Sequence, residues 1–113
     1  MLNRLFGGAS LSTLEAMLTY ASRRQQVIAA NIANVDTTGY RTRDLDGADF
    51  RTSLGRAVEA ADAGIVKANG NNVDLEIEMA KMVRNSALHG TAASLLAQQF
   101  SLLREAVAGH VIS

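Results

Sequence analysis

The sequence predicts a mainly α-helical fold, in which two long terminal helices form an antiparallel coiled-coil hairpin around an irregular central loop carrying a short helix. Apolar residues recur at alternating intervals of three and four near both ends of the 113-residue chain, as they do along one face of a helix. Between these two runs, Gly and Asn residues that favour turns interrupt the sequence. We therefore expect a single domain, with a first helix region over 1–34, a loop over 35–73 and a last helix over 74–113.

The first helix is predicted between Ser12 and Asn34. Ser12 and Glu15 fit a capping box, in which a hydroxyl and a carboxylate satisfy free backbone N–H groups at the helix start. The predicted seam consists of Leu11, Leu14, Leu18, Ala21, Gln25, Ile28 and Ile32. Asn34, Asp36 and Gly39 accept non-helical backbone, so the helix should end in a turn.

The central loop is predicted to carry a short amphipathic helix that is capped by Asp49 and closed by Gly64. Its apolar stripe would consist of Phe50, Leu54, Ala57, Val58 and Ala61. Residues 69–72 form a dense turn signal. Either Asn72 or Asp74 then caps the last helix.

The last helix is predicted from about Asp74 to Ala108. Its seam would consist of Met79, Met82, Ser86, His89, Ala93, Leu96, Phe100, Leu103 and Val107. A second apolar line beside the seam consists of Leu88, Leu95 and Leu102. No Asp, Glu, Lys or Arg lies between Asn85 and Leu103. Because one partner helix cannot cover both lines, we expect other protein chains to bury the remainder.

Composition excludes several classes of function. The net charge is zero and only 19% of residues are charged, so the chain lacks the basic footprint of a nucleic-acid-binding protein. Cysteine is absent, which removes disulfides and thiolate chemistry. The first ten residues hold one basic residue and no apolar core of signal-peptide length, so no cleaved signal is expected. Frequent polar residues in the last helix disfavour a membrane span.

Candidate chemical sites are weak. His89 lies on the predicted apolar seam, where a packed or interfacial imidazole is expected, and His110 lies near the chain end. Asp44, Asp46 and Asp49 lack the ligand spacing and the terminal Glu of a calcium loop. Arg41 and Arg43 are either ordinary surface residues or, with the alternating charges over 41–46, pair across a subunit boundary. The sequence therefore predicts neither an enzyme nor a metal or cofactor site.

Two motifs resemble those of bacterial flagellar axial proteins. The first comprises Ala30-Asn31-Ile32-Ala33-Asn34, Asp36-Thr37 and Gly39-Tyr40. The second comprises Asn69-Gly70-Asn71-Asn72-Val73-Asp74-Leu75-Glu76 with Glu78, Met79 and Met82, and it resembles the C-terminal motif of the proximal rod subunits. Arg24-Gln25-Gln26, and Arg43-Asp44-Leu45-Asp46 with Phe50, extend the resemblance over about residues 11–109. The chain thus resembles the flagellar basal-body rod proteins.

The resemblance implies a structural subunit of the proximal rod, which links the membrane ring to the rest of the axle, transmits torque and lines the export channel. Implied partners are further copies, sister rod subunits, the rod adaptor, the membrane ring protein and the flagellar type III export apparatus. The implied location is the basal body in the periplasm, without lipid embedding. A sister proximal-rod subunit shares both motifs, and a membrane-surface amphipathic protein is a further alternative.

The resemblance and the last-helix seam together give the residues expected at assembly interfaces. They are Ala30, Asn31, Ile32, Asn34, Asp36, Thr37, Gly39, Tyr40, Asn71, Asn72, Val73, Asp74, Leu75, Glu78, Met79, Met82, Leu96, Phe100 and Leu103. Asn31 and Asn34 need hydrogen-bond partners on a crowded helix face, and these are expected either in the turn or on a neighbouring backbone. Phe50 and Leu54 resemble the element that early export substrates present to the export gate, although an ordinary helix face explains them equally well.

Overall fold

The protein is an elongated hairpin of two helices with a small two-stranded sheet that contacts the first helix. The computed structural model describes residues 11–45, 57–59 and 66–112, with the backbone alone at 57–59 and 110–112. In chain order, the elements are α1 (Leu11–Ala33), β1 (Arg43–Leu45), β2 (Ala57–Glu59) and α2 (Leu75–Ile112). The predicted fold class of two long helices packed as a hairpin is confirmed.

The helix α1 agrees closely with its prediction. It is helical from Leu11, the first described residue, so Ser12 lies inside the helix rather than before it. It ends at Ala33, beside the predicted stop at Asn34. Its buried apolar side chains are Leu14, Ala21 and Ile28. They recur every seven residues, which keeps them on one face of the helix, and all three belong to the predicted seam.

The helix α2 begins directly after Asp74, which caps it. The Asp74 carboxylate accepts hydrogen bonds from the backbone N–H groups of Glu76 at 3.0 Å and Ile77 at 3.2 Å. Asp74 rather than Asn72 is therefore the N-cap. With 38 residues against 23 in α1, α2 is about 57 Å long and extends well beyond its partner.

The two helices run antiparallel. Near the middle of α1, the carbonyl oxygen of Ala21 accepts a hydrogen bond from Asn85. Near the end of α1, the side chain of Asn31 donates to Glu78, close to the start of α2. The contacts therefore move toward the start of α2 as they move toward the end of α1.

The helix α1 packs against a different line of α2 from the predicted seam. The buried line recurs every seven residues and consists of Glu78, Asn85, Ala92 and Gln99. Met79 and Phe100, predicted in the seam, are 54% and 49% exposed. Met82, Leu96 and Leu103 are half-buried at its edge. The prediction therefore turned the wrong face of α2 toward α1. It placed the largest apolar side chains against α1, whereas α1 lies over small and polar residues between the two apolar lines.

The strands β1 and β2 pair antiparallel, with Asp44 opposite Val58. The short helix predicted in the central loop is therefore wrong at 57–59, which form β2. The rest of that predicted helix, including Phe50 and Leu54, lies outside the described residues. Apolar spacing over so few residues does not separate a helix from a strand, and here pairing with β1 decides the conformation.

Candidate assembly surface and the polar turn

The chain leaves α1 through a turn built from the first motif. Asn34 donates from Nδ2 to the carbonyl oxygen of Ala30 at 2.8 Å, and its Oδ1 accepts a hydrogen bond from the Thr37 hydroxyl at 2.9 Å. Gly39 follows with φ 74°, a left-handed conformation that side chains with a Cβ rarely adopt. The Asn34 side chain therefore satisfies a free carbonyl group at the end of α1, and Gly39 allows the backbone to turn away from the helix axis.

The second motif is attached to the first by Asn71, which is fully buried. Asn71 Nδ2 donates to the carbonyl oxygens of Asn34 at 2.8 Å and Thr37 at 2.7 Å. Its Oδ1 accepts from the backbone N–H of Val73 at 2.8 Å. One side chain thus joins the end of α1 to the segment that leads into α2.

Asn31 is also fully buried and uses both ends of its amide. Its Nδ2 donates to the carbonyl oxygen of Arg43 at 2.7 Å and to Glu78 Oε2 at 3.0 Å. Its Oδ1 accepts from the Arg43 N–H at 3.0 Å and from the Tyr40 hydroxyl at 2.9 Å. Burial raises the pKa of the Tyr40 hydroxyl, which favours the neutral form that donates. Asn31 therefore connects α1 to the turn, to β1 and to α2.

Glu78 places a carboxylate inside the hairpin, with the residue 1% exposed. Its Oε1 accepts from the Thr42 hydroxyl at 3.0 Å and from Lys81 Nζ at 3.3 Å. The Thr42 N–H in turn donates to Asn72 Oδ1 at 2.6 Å. A buried carboxylate is tolerated only when it is paired and hydrogen-bonded, and these neighbours meet that requirement.

An ion pair fixes β1 to the side of α1. Arg24 donates from Nε to Asp44 Oδ1 at 2.9 Å and from Nη2 to Oδ2 at 3.0 Å. Burial opposes ionisation of Asp44, but hydrogen bonds from Arg24 and the Leu45 N–H and the charges of Arg24 and Lys81 outweigh it. The pKa of the Asp44 carboxyl therefore lies below its ordinary value. The hydrogen bond to Asp44 likewise raises the pKa of the Arg24 guanidinium.

Amide side chains also connect the two helices in the middle of the hairpin. Asn85 donates from Nδ2 to the carbonyl oxygen of Ala21 and to Gln25 Oε1, both at 2.8 Å. An open groove of about 340 Å³ nearby is lined by Ser22, Gln25, Gln26, Ser86 and His89. His89 is exposed in this groove on the single chain, so it is not packed within the hairpin, and an interfacial position for it stays a prediction. Within the described residues, no three His, Asp or Glu side chains converge as metal ligands do.

Large apolar side chains on α2 remain uncovered by the hairpin, and we call them the apolar α2 surface. They are Leu75, Ile77, Met79, Val83, Leu95, Phe100, Leu102 and Val107. Val83 is 70% exposed and Val107 is 61% exposed. In the parts of the chain that the structure describes, no helix combines the length and apolarity needed to cross a bilayer.

The predicted interface residues divide into three groups. Those exposed on the chain are Ala30, Asp36, Thr37, Gly39, Asp74, Leu75, Met79 and Phe100. Those half-buried are Ile32, Asn34, Tyr40, Met82, Leu96 and Leu103. Those fully buried by contacts within the chain are Asn31, Asn71, Asn72, Val73 and Glu78. The buried group joins the turn after α1 to β1 and to the start of α2, and we call this arrangement the polar turn. A role at subunit interfaces stays a prediction for all three groups.

Sequence reasoning missed several residues of this arrangement. Thr42 and Asn85 were not singled out, and the pairing of Asp44 with Arg24 of the same chain was not foreseen. One signal was present in the sequence: polar residues recur at seven-residue intervals at Glu78, Asn85 and, after Ala92, Gln99. Buried polar residues at seam positions are a known register device in coiled coils.

The chain is similar to known proteins. A family model described as "Flagella basal body rod protein" matches residues 12–41, which comprise most of α1 and the turn that follows. The flagellar basal body rod protein FlgB of Yersinia ruckeri is 31% identical over 83 residues, covering 74% of this chain and 53% of that protein. FlgB of Yersinia enterocolitica is 30% identical over 96 residues, covering 85% of this chain and 63% of that protein.

A relative from another bacterium aligns along nearly its whole length. FlgB of Bacillus subtilis is 27% identical over 126 residues, covering 93% of this chain and 97% of that protein. The chain spans between about half and two-thirds of the two Yersinia relatives. Taken with the polar turn, where both motifs meet, these similarities show that the chain belongs to the flagellar basal body rod protein family.

Proposed function

We propose that the chain is a structural subunit of the proximal rod of the bacterial flagellar basal body. It would pack helically with copies and with sister rod proteins, link the membrane ring to the rest of the axle, transmit torque and line the export channel. The observation that carries this proposal is the apolar α2 surface, because soluble monomers rarely leave so many large apolar side chains exposed along one element.

The charge pattern of α2 supports close packing in an assembly. Between Asn85 and Leu103 the helix has no charged residue, so neighbouring chains can cover it without burying an unpaired ion. Opposite the buried line, α2 presents small residues that are exposed on the single chain. They are Ala87, Gly90, Ser94, Ala97 and Ser101. This narrow, neutral face suits either a closely packed neighbour or the wall of a conduit.

The further partners and the location rest on the family. The rod adaptor, the membrane ring protein and the flagellar type III export apparatus are proposed as partners, and the periplasmic basal body, reached without a cleaved signal peptide, as the location. Phe50 and Leu54 are proposed as the element presented to the export gate. Replacing each by Ala and measuring the secreted amount of the chain tests that role.

The competing proposal is a protein that lies on a membrane surface through the same apolar residues. Such helices normally carry Lys and Arg along the polar face, whereas the central part of α2 carries none. Flotation of the purified chain with liposomes separates the two proposals. Strong binding without any partner protein favours the membrane surface, and absence of binding favours the rod.

Phe100→Asp tests the rod proposal directly. Phe100 is half-exposed on the hairpin, so the variant should keep the helical circular dichroism of the isolated chain. In cells that lack their own copy of the subunit, it should fail to restore basal bodies and swimming, because a neighbour would have to bury the new carboxylate. The matched control Phe100→Leu should restore both. Normal swimming with Phe100→Asp contradicts the proposal.

A further inference from the structure

Glu78 stands where the packing of two helices calls for an apolar residue. It belongs to the buried line of α2 with Ala92, and replacing a buried ion pair by apolar residues of similar volume is often neutral or stabilising. The carboxylate is therefore poorly explained as a source of stability. Its hydrogen bonds lead instead to β1, through the Thr42 hydroxyl at 3.0 Å and, on the other oxygen, through Asn31 at 3.0 Å.

Asn31 forms two hydrogen bonds with the backbone of Arg43, the first residue of β1. It donates to the Arg43 carbonyl oxygen at 2.7 Å and accepts from the Arg43 N–H at 3.0 Å. This is the pair of bonds that a neighbouring strand makes with a residue in an antiparallel sheet. The side chain of Asn31 therefore replaces a strand and fixes the position of Arg43 relative to α1.

The residues on each side of Arg43 are bonded to other parts of the chain. The Thr42 N–H donates to Asn72 in the segment before α2, and Asp44 is paired with Arg24 of α1. The start of β1 is thus held both by α1 and by the segment that leads into α2. Since β2 pairs only with β1 among the described elements, this entry point determines where the two paired strands point, and we call Arg43–Leu45 together with Ala57–Glu59 the β1–β2 arm.

We propose that Asn31 and Glu78 form a latch that fixes the direction in which the β1–β2 arm leaves the helical hairpin. Asn31 holds the backbone of Arg43, and Glu78 orients Asn31 while it also binds Thr42. Both are positioning residues, and their contribution is a single geometry of the arm rather than net stability of the hairpin. The inference concerns the isolated chain and does not depend on the proposed rod function.

Two replacements of Glu78 separate positioning from stability. Glu78→Gln keeps the volume, and its carboxamide can accept from Asn31 through Oε1 while donating to the Thr42 oxygen through Nε2. Glu78→Leu places an apolar side chain of similar volume in the buried line of α2. It leaves the Thr42 hydroxyl and one N–H of the Asn31 side chain without their hydrogen-bond acceptor. The latch predicts a defect in Glu78→Leu that Glu78→Gln rescues.

The direction of the arm can be measured by spin labelling, because the chain contains no cysteine. One label is attached through Thr19→Cys on the exposed side of α1 and the other through Glu59→Cys at the end of β2. We expect a narrow distance distribution in the parent chain and in Glu78→Gln, and a broad or shifted one in Glu78→Leu. A control pair at Thr19→Cys and Ser101→Cys, both within the hairpin, should stay narrow in all three.

Hydrogen exchange supplies a second readout. In Glu78→Leu the amides of Thr42 and Arg43 should exchange about tenfold faster, while amides in the middle of α1 and α2 keep their rates, because only the local opening changes. An arm distance as narrow in Glu78→Leu as in the parent overturns the latch. Equal loss of helical circular dichroism in both Glu78 variants overturns it too, since that shows a role in global stability.

Should Glu78→Leu alone fail to fold, Thr42→Val decides the question. It removes the hydroxyl that donates to Glu78 without changing the volume, and Glu78 keeps its bonds to Asn31 and Lys81. The latch predicts a broadened arm distance with an intact control pair. An unchanged arm distance in Thr42→Val then contradicts it.

Discussion

Asn71 donates from one nitrogen to two carbonyl oxygens of the turn after α1, those of Asn34 and Thr37. It is fully buried, so water cannot replace these bonds. Asn31 satisfies its amide in the same complete way with Arg43, Tyr40 and Glu78. Buried amides with every bond made specify one geometry, because each competing arrangement leaves a polar group unpaired.

Asn71→Asp should therefore destabilise the hairpin strongly. The replacement is nearly isosteric, but it turns the donor toward two carbonyl oxygens into an acceptor, and we expect a loss of about 3 kcal/mol in the free energy of unfolding. Urea denaturation followed by circular dichroism measures this loss. Asn69→Asp is the control, since Asn69 is exposed and its Oδ1 acceptor is retained. Equal stability of the two variants contradicts the role assigned to Asn71.

The Arg24–Asp44 pair makes the stability depend on pH in a defined direction. The folded pKa of Asp44 is depressed, so its stabilisation is fully present above the unfolded pKa of about 3.9 and is lost as the pH falls through the lower folded value. Asp44→Asn should lower the free energy of unfolding by about 1 kcal/mol at neutral pH, and by much less near pH 2. Denaturation curves of both proteins at the two pH values measure this.

The control for that experiment is Asp36→Asn, which removes an exposed carboxylate beyond the end of α1. Its effect on stability should be small at both pH values. A difference between Asp44→Asn and the parent that is the same at both pH values would show that the carboxylate charge is not what matters.

At the scale of elements, the two helices and their limits were predictable because apolar periodicity and caps are local signals. Leu14, Ala21 and Ile28 appeared in the seam as expected, and Asp74 capped α2. The rotation of α2 was not predictable from apolar residues alone. Periodicity locates apolar lines but not the line that faces the partner, and α1 lies over Glu78, Asn85, Ala92 and Gln99, between two apolar lines.

The strand β2 shows a second limit of sequence reasoning. Ala57 and Val58 have spacing that suits a short helix, yet they pair with β1. Its partner β1 is in turn bonded by Arg24 and Asn31 of α1, residues that are distant in the sequence from Ala57 and Val58. Local patterns carry no information about such tertiary restraints, so the polar turn was identified by resemblance while its contacts were not.

Gly90 gives a prediction that belongs to α2 as an element. A Cβ built at Gly90 meets no atom within 4 Å, and glycine costs a helix interior about 1 kcal/mol relative to alanine. Gly90→Ala should therefore raise the free energy of unfolding of the isolated chain by about 0.5–1 kcal/mol. Thermal or urea denaturation measures the gain.

Gly90→Leu extends the same test to the assembly. The isolated hairpin should tolerate the larger side chain, since the space around Gly90 is open. If a neighbouring chain approaches α2 closely on this narrow face, the variant should fold but fail to form basal bodies. Folding together with normal assembly shows that no neighbour lies against Gly90.

At the scale of the whole molecule, the buried polar contacts and the exposed apolar side chains lie in different regions. At the end of the hairpin where α1 leads into the turn, the side chains of Asn31, Asn71 and Glu78 and the Arg24–Asp44 pair connect α1, the turn, β1 and the start of α2. The apolar α2 surface runs along the length of the hairpin, with Val83 and Val107 the most exposed. Contacts within the chain therefore specify the turn, whereas the outer surfaces of α2 stay exposed on the single chain, and we propose that other chains cover them.

Chemical labelling of Met79→Cys tests this central claim most directly. Met79 is 54% exposed on the single chain, and no other cysteine is present, so a maleimide should label the dilute purified protein rapidly. In isolated basal bodies the same cysteine should be protected, and denaturing those basal bodies should restore labelling. Equally rapid labelling of the purified chain and of intact basal bodies would contradict the account, because the apolar α2 surface would then stay uncovered after assembly.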